Sequence, residues 1–294
     1  MQVPKTPDFS IIIPTHNRPV ALRRCLECVF AQDYDRDGFE VLVVDDGSDL
    51  SYSELQLQYP EVRWLRTVNE GPALARNTAA KLARGRYLAF VDDDCYATRH
   101  WLRELSSALG GKGKIVVGGA TPAAPGANIY DRVSQFITLI VYLHYNADAQ
   151  KSQFFASNNL AISTALFEDI GGFDGEHTRH AAEDRTLCNT VLSLNYPLVW
   201  QRDAVVFHHP YLNFRKFCHM YFRYGRGAFT YQSSRKIGGM LSEVNFHLQL
   251  PSLIRQGFSQ TPALPLIPTL LLLGAWQVSN TLGFFWQSTQ GTRY

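Results

Sequence analysis

Beyond Glu243 the chain has no acidic residue, and from residue 204 onward eight basic side chains face that one glutamate. Residues 1–203 hold 20 basic and 25 acidic groups, so a net charge of +2 conceals a first part near −5 and a tail near +7. Such a tail is not an acidic interaction arm; its basic and aromatic character suits an anionic lipid surface, and no nucleic-acid partner is assigned. Cysteine is scarce too. Cys25, Cys28, Cys95, Cys188 and Cys218 are an odd, scattered set, which excludes a disulfide framework or zinc ribbon and points to a reducing setting. Cys25 and Cys28 form a CxxC inside a helical pattern without a second pair, so they receive no redox or metal role. The segment from Met1 to Asp8 is polar and lacks the apolar stretch of a signal peptide, so the expected location is the cytoplasm, at the cytoplasmic face of a membrane. No internal repeat or low-complexity tract is visible.

What is present is an ordinary globular composition, 46% hydrophobic and 18% charged over 294 residues, enough for one large core or two small ones. The first hundred residues alternate short apolar runs with helical patterns, the mark of strand-helix units feeding a largely parallel sheet. Strands are expected at Phe9 to Pro14, Glu40 to Asp45, Val62 to Thr67 and Arg86 to Val91. Helices are expected at Pro19 to Ala31, Leu50 to Tyr59 and Gly71 to Arg84, the last ended by Gly85. Beyond residue 100 come a strand at Ile115 to Gly118, a helix near Ile129 to Tyr145, a strand at Asn159 to Ser163, a helix from Ala182 to Leu194 and a strand near Leu198 to Phe207. Three strands of the first half end in polar groups, Pro14-Thr15-His16-Asn17, Asp45-Asp46-Gly47-Ser48 and Asp92-Asp93-Asp94, at the edge where open α/β sheets bind ligands.

Asp92, Asp93 and Asp94 repel one another, so the run needs a cation or full solvation. A divalent metal answers the first need, and Mg²⁺ or Mn²⁺ takes one or two carboxylates plus diphosphate oxygens. The alternative is a solvated acidic turn capping the next helix with Asp94 or Thr98 near its N-terminus. Likewise Asp45 to Ser48 also reads as an Asx-type turn, Arg76 as an exposed helix arginine, Glu183-Asp184 as acids favoured by a helix dipole, and His208-His209 as surface histidines.

The order Phe-Ser-Ile-Ile-Ile-Pro-Thr-His-Asn-Arg (9 to 18), Val-Leu-Val-Val-Asp-Asp-Gly-Ser (41 to 48), Gly71-Pro-Ala-Leu-Ala-Arg76-Asn77, Phe90-Val-Asp-Asp-Asp94, Gly171-Gly172-Phe173-Asp174 and Glu183-Asp184 resembles the family 2 glycosyltransferases of the GT-A fold. The resemblance covers residues 9 to 209, about two-thirds of the chain. It implies an α/β fold with a Rossmann-like, mixed but mainly parallel sheet flanked by helices. Residues 1–210 would be the catalytic domain, with 1–100 binding a nucleotide-sugar and 101–210 forming the acceptor half; 211–294 would be a helical extension.

The resemblance further implies that Pro14, Thr15, Asn17 and Arg18 hold the nucleotide and that Asp45 accepts from a uracil-type N–H, favouring a UDP-sugar. Arg76 would lie near the diphosphate, Asp92 near the ribose or sugar, and Asp93 beside it. Asp94 would ligate Mn²⁺ or Mg²⁺, with Asp92 as an added ligand and His208, in preference to His209, completing the site. Asp184 would be the general base for an acceptor hydroxyl in an inverting displacement, and Glu183 would orient the acceptor or cap the helix. A nucleotidyltransferase would carry a Gly-rich, Lys/Arg-containing loop after the first strand, unlike Pro14 to Asn17; the remaining rival is a binding module of the same fold without turnover.

In the tail, Ala263 to Trp286 has no charged side chain and a length that just spans a bilayer, although Pro265, Pro268, Gln277, Ser279 and Asn280 equally suit a re-entrant or surface-lying hairpin. Phe214 to Tyr231 interleaves Arg215, Lys216, Arg223 and Arg226 with aromatics and reads as an interfacial helix, or as one of a packed helix pair or a dimer contact. A glycan or lipid-linked acceptor at a membrane surface is the expected partner.

Overall fold

A computed structural model describes residues 6–175, 183–233 and 239–290, the side chains of 239–244 excepted. Eight strands form one mixed sheet: β1 (Phe9–Thr15), β2 (Phe39–Asp46), β3 (Arg63–Thr67), β4 (Tyr87–Val91), β5 (Cys95–Ala97), β6 (Val116–Ala120), β7 (Asn159–Ser163) and β8 (Leu198–His208). Their spatial order is β3-β2-β1-β4-β7-β6-β8-β5. The first four strands run parallel; β7 lies antiparallel between β4 and β6, and β5 pairs antiparallel with β8.

Every residue of β1, β2 and β4 is buried, because helices cover both faces; such strands read as continuous apolar runs. On one face, Ile11, Ile13, Val41 and Val43 meet α1 (Pro19–Phe30) and α4 (Trp101–Leu109) through Leu22, Leu26, Val29, Trp101 and Leu105. On the other, Ile12, Leu42, Val44 and Phe90 meet α3 (Pro72–Ala80), α5 (Ile129–Tyr145), α6 (Thr164–Asp169) and α7 (Glu183–Ser193). The same core continues into α8 (Phe214–Ser233), α9 (Gly239–Gln260) and α10 (Leu266–Gln290) through Phe217, Leu253 and Trp276. A short α2 (Ser53–Gln58) joins β2 to β3.

Several expectations need correction. The helix at Leu50 to Tyr59 shortens to α2, and α3 stops at Ala80 rather than Arg84. Gly85 is therefore no helix terminator. A Cβ there would sit 2.4 Å from the Ser10 backbone nitrogen, so the residue is glycine because β1 passes against it. The acidic turn caps no helix: β5 follows it, and α4 begins only at Trp101 without a side-chain cap. Ala182, expected to open a helix, lies outside the described residues.

For the tail the open alternatives narrow to the packed helix pair. Among the described residues no helix is long and apolar enough to cross a membrane. Instead α8 and α10 pack together, with Arg226 Nε donating to Gln287 Oε1 at 2.9 Å and the Phe229 and Phe284 rings 5.3 Å apart. Glycine permits the crossing, since a Cβ at Gly225 would lie 1.9 Å from the Asn280 carbonyl oxygen and one at Gly283 would lie 2.0 Å from that of Phe222. Gly283→Ala should therefore lower the unfolding free energy by about 1–3 kcal/mol. A urea melt with a lower midpoint and unchanged slope would show it; an unchanged midpoint would contradict the crossing.

Candidate active site

The C-terminal ends of β1, β2 and β4 open onto a cleft of about 1030 Å³ whose other walls come from α3, α5, α7, α8 and α10. Pro14, Thr15, Arg18, Arg76, Asp92, Asp93, Glu183, Asp184 and His208 all line it. The expected catalytic, nucleotide-side and metal-side groups are thus brought together, from segments more than a hundred residues apart.

The three consecutive carboxylates take different partners. Asp92 Oδ1 accepts from Arg76 Nη2 at 2.5 Å and keeps 30% of its side chain accessible. Asp93 is buried, accepting from Thr15 Oγ1 at 2.7 Å and from Arg18 Nη1 at 3.1 Å. Asp94 accepts from Arg18 Nη1 through Oδ2 at 2.8 Å, while its Oδ1 lies 3.3 Å from His208 Nε2. Burial, then repulsion from Asp94, pushes the Asp93 carboxyl up to about 7 against the pull of Arg18 and Thr15. Burial works the same way on Asp94, but His208 and Arg18 outweigh it and hold that carboxyl below the usual range. Of these two, Asp94 is the one that stays ionised.

His208 ends β8, and its Nδ1 lies 2.8 Å from the Gln135 side-chain amide on α5. The amide nitrogen donates to Nδ1, so the ring proton sits on Nε2 and points at Asp94 Oδ1; with the amide turned, its oxygen would accept from Nδ1–H and free Nε2 to bind an ion. Burial lowers the imidazole's proton affinity, yet the Asp94 charge outweighs it and the net shift is upward. His209 is placed elsewhere: its backbone N–H donates to the Asp94 carbonyl, its Nε2 lies 3.4 Å from Asp131 Oδ2, and its ring stacks on Tyr211. The Asp94 and His208 donors are spaced as two ligands of one divalent ion, so these residues fit the expected metal. Asp92, expected as an added ligand, is tied to Arg76 and stands outside the group of close donors, Asp94, Cys95 and His208.

Two nucleotide-side expectations are displaced. Asn17, at φ +56°, does not line the cleft; its Oδ1 accepts from the Asp49 and Leu50 backbone N–H groups at 2.9 and 3.1 Å, so it brackets the loop after β2. Asp45 faces a separate, smaller pocket, where Arg66 donates to it at 2.8 Å and the Ser48 backbone N–H at 2.9 Å. Its neighbour Asp46 lines the cleft, accepting from Thr67 Oγ1 and from the Glu70 and Gly71 backbone N–H groups, beside His16. His16, Asp46 and Gln135 are the lining residues that the motifs alone did not single out.

The acidic pair opens α7, where a helix dipole favours negative charge. Burial, then repulsion from Asp184, raises Glu183 to about 7. Asp184 is also raised, chiefly by burial, although Arg76 and hydrogen bonds from Ser157 pull it back. Arg76 carries the balancing charge, with only 2% of its side chain exposed and its Nη1 4.0 Å from Glu183 Oε1. Among the described residues, Arg76 Nε and Nη1, Asn158 Oδ1, Glu183 Oε2 and Asp184 Oδ1 are buried with no hydrogen-bond partner. All five atoms belong to cleft-lining residues. Buried polar atoms are satisfied in the great majority of cases, so these atoms leave the cleft with hydrogen-bonding capacity that water or a polar ligand would meet.

Comparison with known proteins bears on the family and the fold. The chain is 28% identical over 228 residues to glycosyltransferase AglE of Haloferax volcanii, covering 75% of this chain and 73% of that protein. It is 34% identical over 106 residues to the poly(ribitol-phosphate) beta-N-acetylglucosaminyltransferase TarS of Staphylococcus aureus, a match spanning 34% of this chain and 18% of TarS. Among solved structures, the mannosyltransferase PcManGT of Pyrobaculum calidifontis, in complex with GDP-Man and Mn²⁺, superposes with a TM-score of 0.66 at 18% identity, covering 98% of this chain and 88% of the other. Residues 1–349 of TarS with UDP-GlcNAc give 0.57 at 19% identity, covering 98% and 93%. These likenesses show the GT-A architecture. The model of glycosyl transferase family 2 matches residues 10–171, more than half of the chain, and the protein belongs to that family.

Proposed function

We propose that the protein transfers a sugar from a nucleotide-diphospho-sugar, a UDP-sugar first among the candidates, to a hydroxyl of a glycan or lipid-linked acceptor, with inversion at the anomeric carbon. The observation that carries this reading is the set of unpartnered buried atoms on Arg76, Glu183 and Asp184, in one cleft with His208, whose Nε2 lies 3.3 Å from Asp94 Oδ1 behind the cleft wall. The nucleotide-sugars bound by PcManGT and TarS support the donor class.

On this reading the donor's base and ribose lie along Pro14, Thr15, His16 and Asp46, and its diphosphate meets Arg18 and Arg76. Held by Asp94 and His208, Mn²⁺ or Mg²⁺ would supply positive charge beside the leaving diphosphate. Asp184 takes the acceptor hydroxyl's proton on Oδ1 while Ser157 fixes the carboxylate. Its raised proton affinity makes it a stronger base than a solvated aspartate. Residues 211–294 complete the acceptor side, since Tyr221, Phe246 and Trp276 wall the cleft. On the outer face of α10, Ile267, Leu271, Val278, Leu282 and Phe285 stand exposed next to a basic chain segment, which supports an acceptor presented at a lipid surface.

Asp184→Asn is expected to reduce transfer by about a hundredfold to ten-thousandfold while nucleotide binding, followed by calorimetry, changes little; wild-type transfer would remove Asp184 from this role. Asp184 also sets the low-pH limb of the rate profile. Protonation disables the base, so transfer should fall as pH drops through its raised carboxyl value. Glu183, raised to about 7 by burial and then by the Asp184 charge, gains its proton first as pH falls, so Glu183→Gln should leave the limb set by Asp184 in place. A limb that moves toward acid would show that the Glu183 charge sets the base's proton affinity.

A further inference from the structure

Resting on the transferase reading for what enters the cleft, we infer that the acceptor carries a phosphoryl group, received by Arg185 and Arg223. Four arginines line the cleft, and two of them are paired: Arg18 with Asp93 and Asp94, and Arg76 with Asp92. The Arg185 and Arg223 guanidiniums meet no carboxylate and no hydrogen-bond acceptor among the described residues. Glu183 and Asp184 precede Arg185 in sequence, yet the cation they answer to is Arg76. The facing wall offers no opposing charge either, since the lining residues drawn from 134–158 and 220–280 include no acid.

Aromatic rings hold these cations in place. Arg185 lies in the first turn of α7, its guanidinium 5.0 Å from the Phe154 ring centroid and 5.5 Å from that of Tyr145. A ring face attracts a cation without using its N–H groups, so the donors stay available. From Tyr145 the rings continue to Phe246 at 6.3 Å, from there to Trp276 at 6.5 Å, then to Tyr221 at 6.2 Å and Tyr224 at 5.6 Å. All of them line the cleft. This belt bends back toward the acidic pair, because burial and then the charges of Asp184 and Glu183 raise the Tyr224 hydroxyl, against the pull of its neighbour Arg223.

Anion chemistry decides the ligand class. A guanidinium fork matches two oxygens of a carboxylate or of a phosphoryl group. One fork satisfies a carboxylate, whereas a phosphoryl group keeps a further oxygen for a second cation, and this belt carries two. A neutral sugar would leave both charges uncompensated among the rings, which costs free energy once water is displaced. The donor's diphosphate already has Arg18 and Arg76 on the proposed reading. A sugar phosphate and a lipid phosphate present the same group to Arg185 and Arg223.

The test is calorimetric titration of the full chain with Mn²⁺, in the presence and absence of UDP. The probes are glucose 1-phosphate and farnesyl phosphate, set against glucose, farnesol and glucuronate. A phosphate probe is expected to bind about tenfold to a hundredfold more tightly than its uncharged parent, with UDP present. Binding of glucose 1-phosphate assigns the group to a soluble sugar, and binding of farnesyl phosphate alone assigns it to a lipid. Arg185→Gln and Arg223→Gln, each with a wild-type circular dichroism spectrum, should both lose that margin while UDP affinity holds. Arg185→Lys, which keeps the charge without the fork, should recover part of it. Phosphate probes that bind no better than their parents, that UDP displaces, or that glucuronate equals overturn the inference, as does full affinity in either folded glutamine variant. Failure of UDP to bind would strike the donor reading and leave the probe result standing.

Discussion

Two arginines keep the acidic side chains of the cleft from driving it apart. Arg76 is almost wholly buried and faces Asp92, Glu183 and Asp184; Arg18 reaches in from the loop after β1 and touches Asp93 and Asp94. Removing one member of a buried ion pair costs far more than its presence contributes, because the surviving charge is stranded in a low dielectric. The fold places these cations by secondary structure rather than by chance. Arg76 projects from α3, and Arg18 immediately precedes α1, whose first residue is Pro19. On the proposed reading both positive charges also meet the donor's diphosphate, so the device that stabilises the ligand-free acids is the one that suits an anionic donor.

The acidic turn distributes three duties over three adjacent residues. Asp93 is a framework group, locked by Thr15 and through Thr15 to the Tyr52 hydroxyl. Asp92 is paired with Arg76 and faces the cleft, and Asp94 turns toward His208. Adjacent backbone positions point in different directions, so one run of identical side chains yields three environments, with one carboxyl raised to about 7 and another held low.

Much of this was legible in the sequence, and the limits have physical causes. The strand-helix alternation follows from apolar runs ending in polar motifs, whereas the mixed sheet and the grouping of Arg76, Asp92, Asp94, Asp184 and His208 follow from the family resemblance. The choice between Asp45 and Asp46 does not. β2 is buried on both faces and reads Phe-Glu-Val-Leu-Val-Val without alternation, so nothing in the pattern tells which carboxylate meets the cleft. Asn17 was misread for a related reason: its left-handed backbone turns its amide onto the next loop, a conformation invisible in a string of residue names. Gln135 belongs to a helix whose amphipathic pattern marks it only as a buried position. The tail's uncharged stretch suggested a bilayer by length, whereas its buried Thr269, Ser279 and Gln287 and its glycine contact with α8 make it a packed helix of the protein.

On the proposed reading Asp94, rather than Asp92 or Asp93, holds the divalent ion. Mn²⁺ binding in the presence of UDP, followed by electron paramagnetic resonance of free Mn²⁺ across Asp92→Asn, Asp93→Asn and Asp94→Asn, tests it directly. The account predicts that Asp94→Asn alone loses Mn²⁺ binding while remaining folded. Full binding by a folded Asp94→Asn protein, or an equal loss in Asp92→Asn, would contradict it.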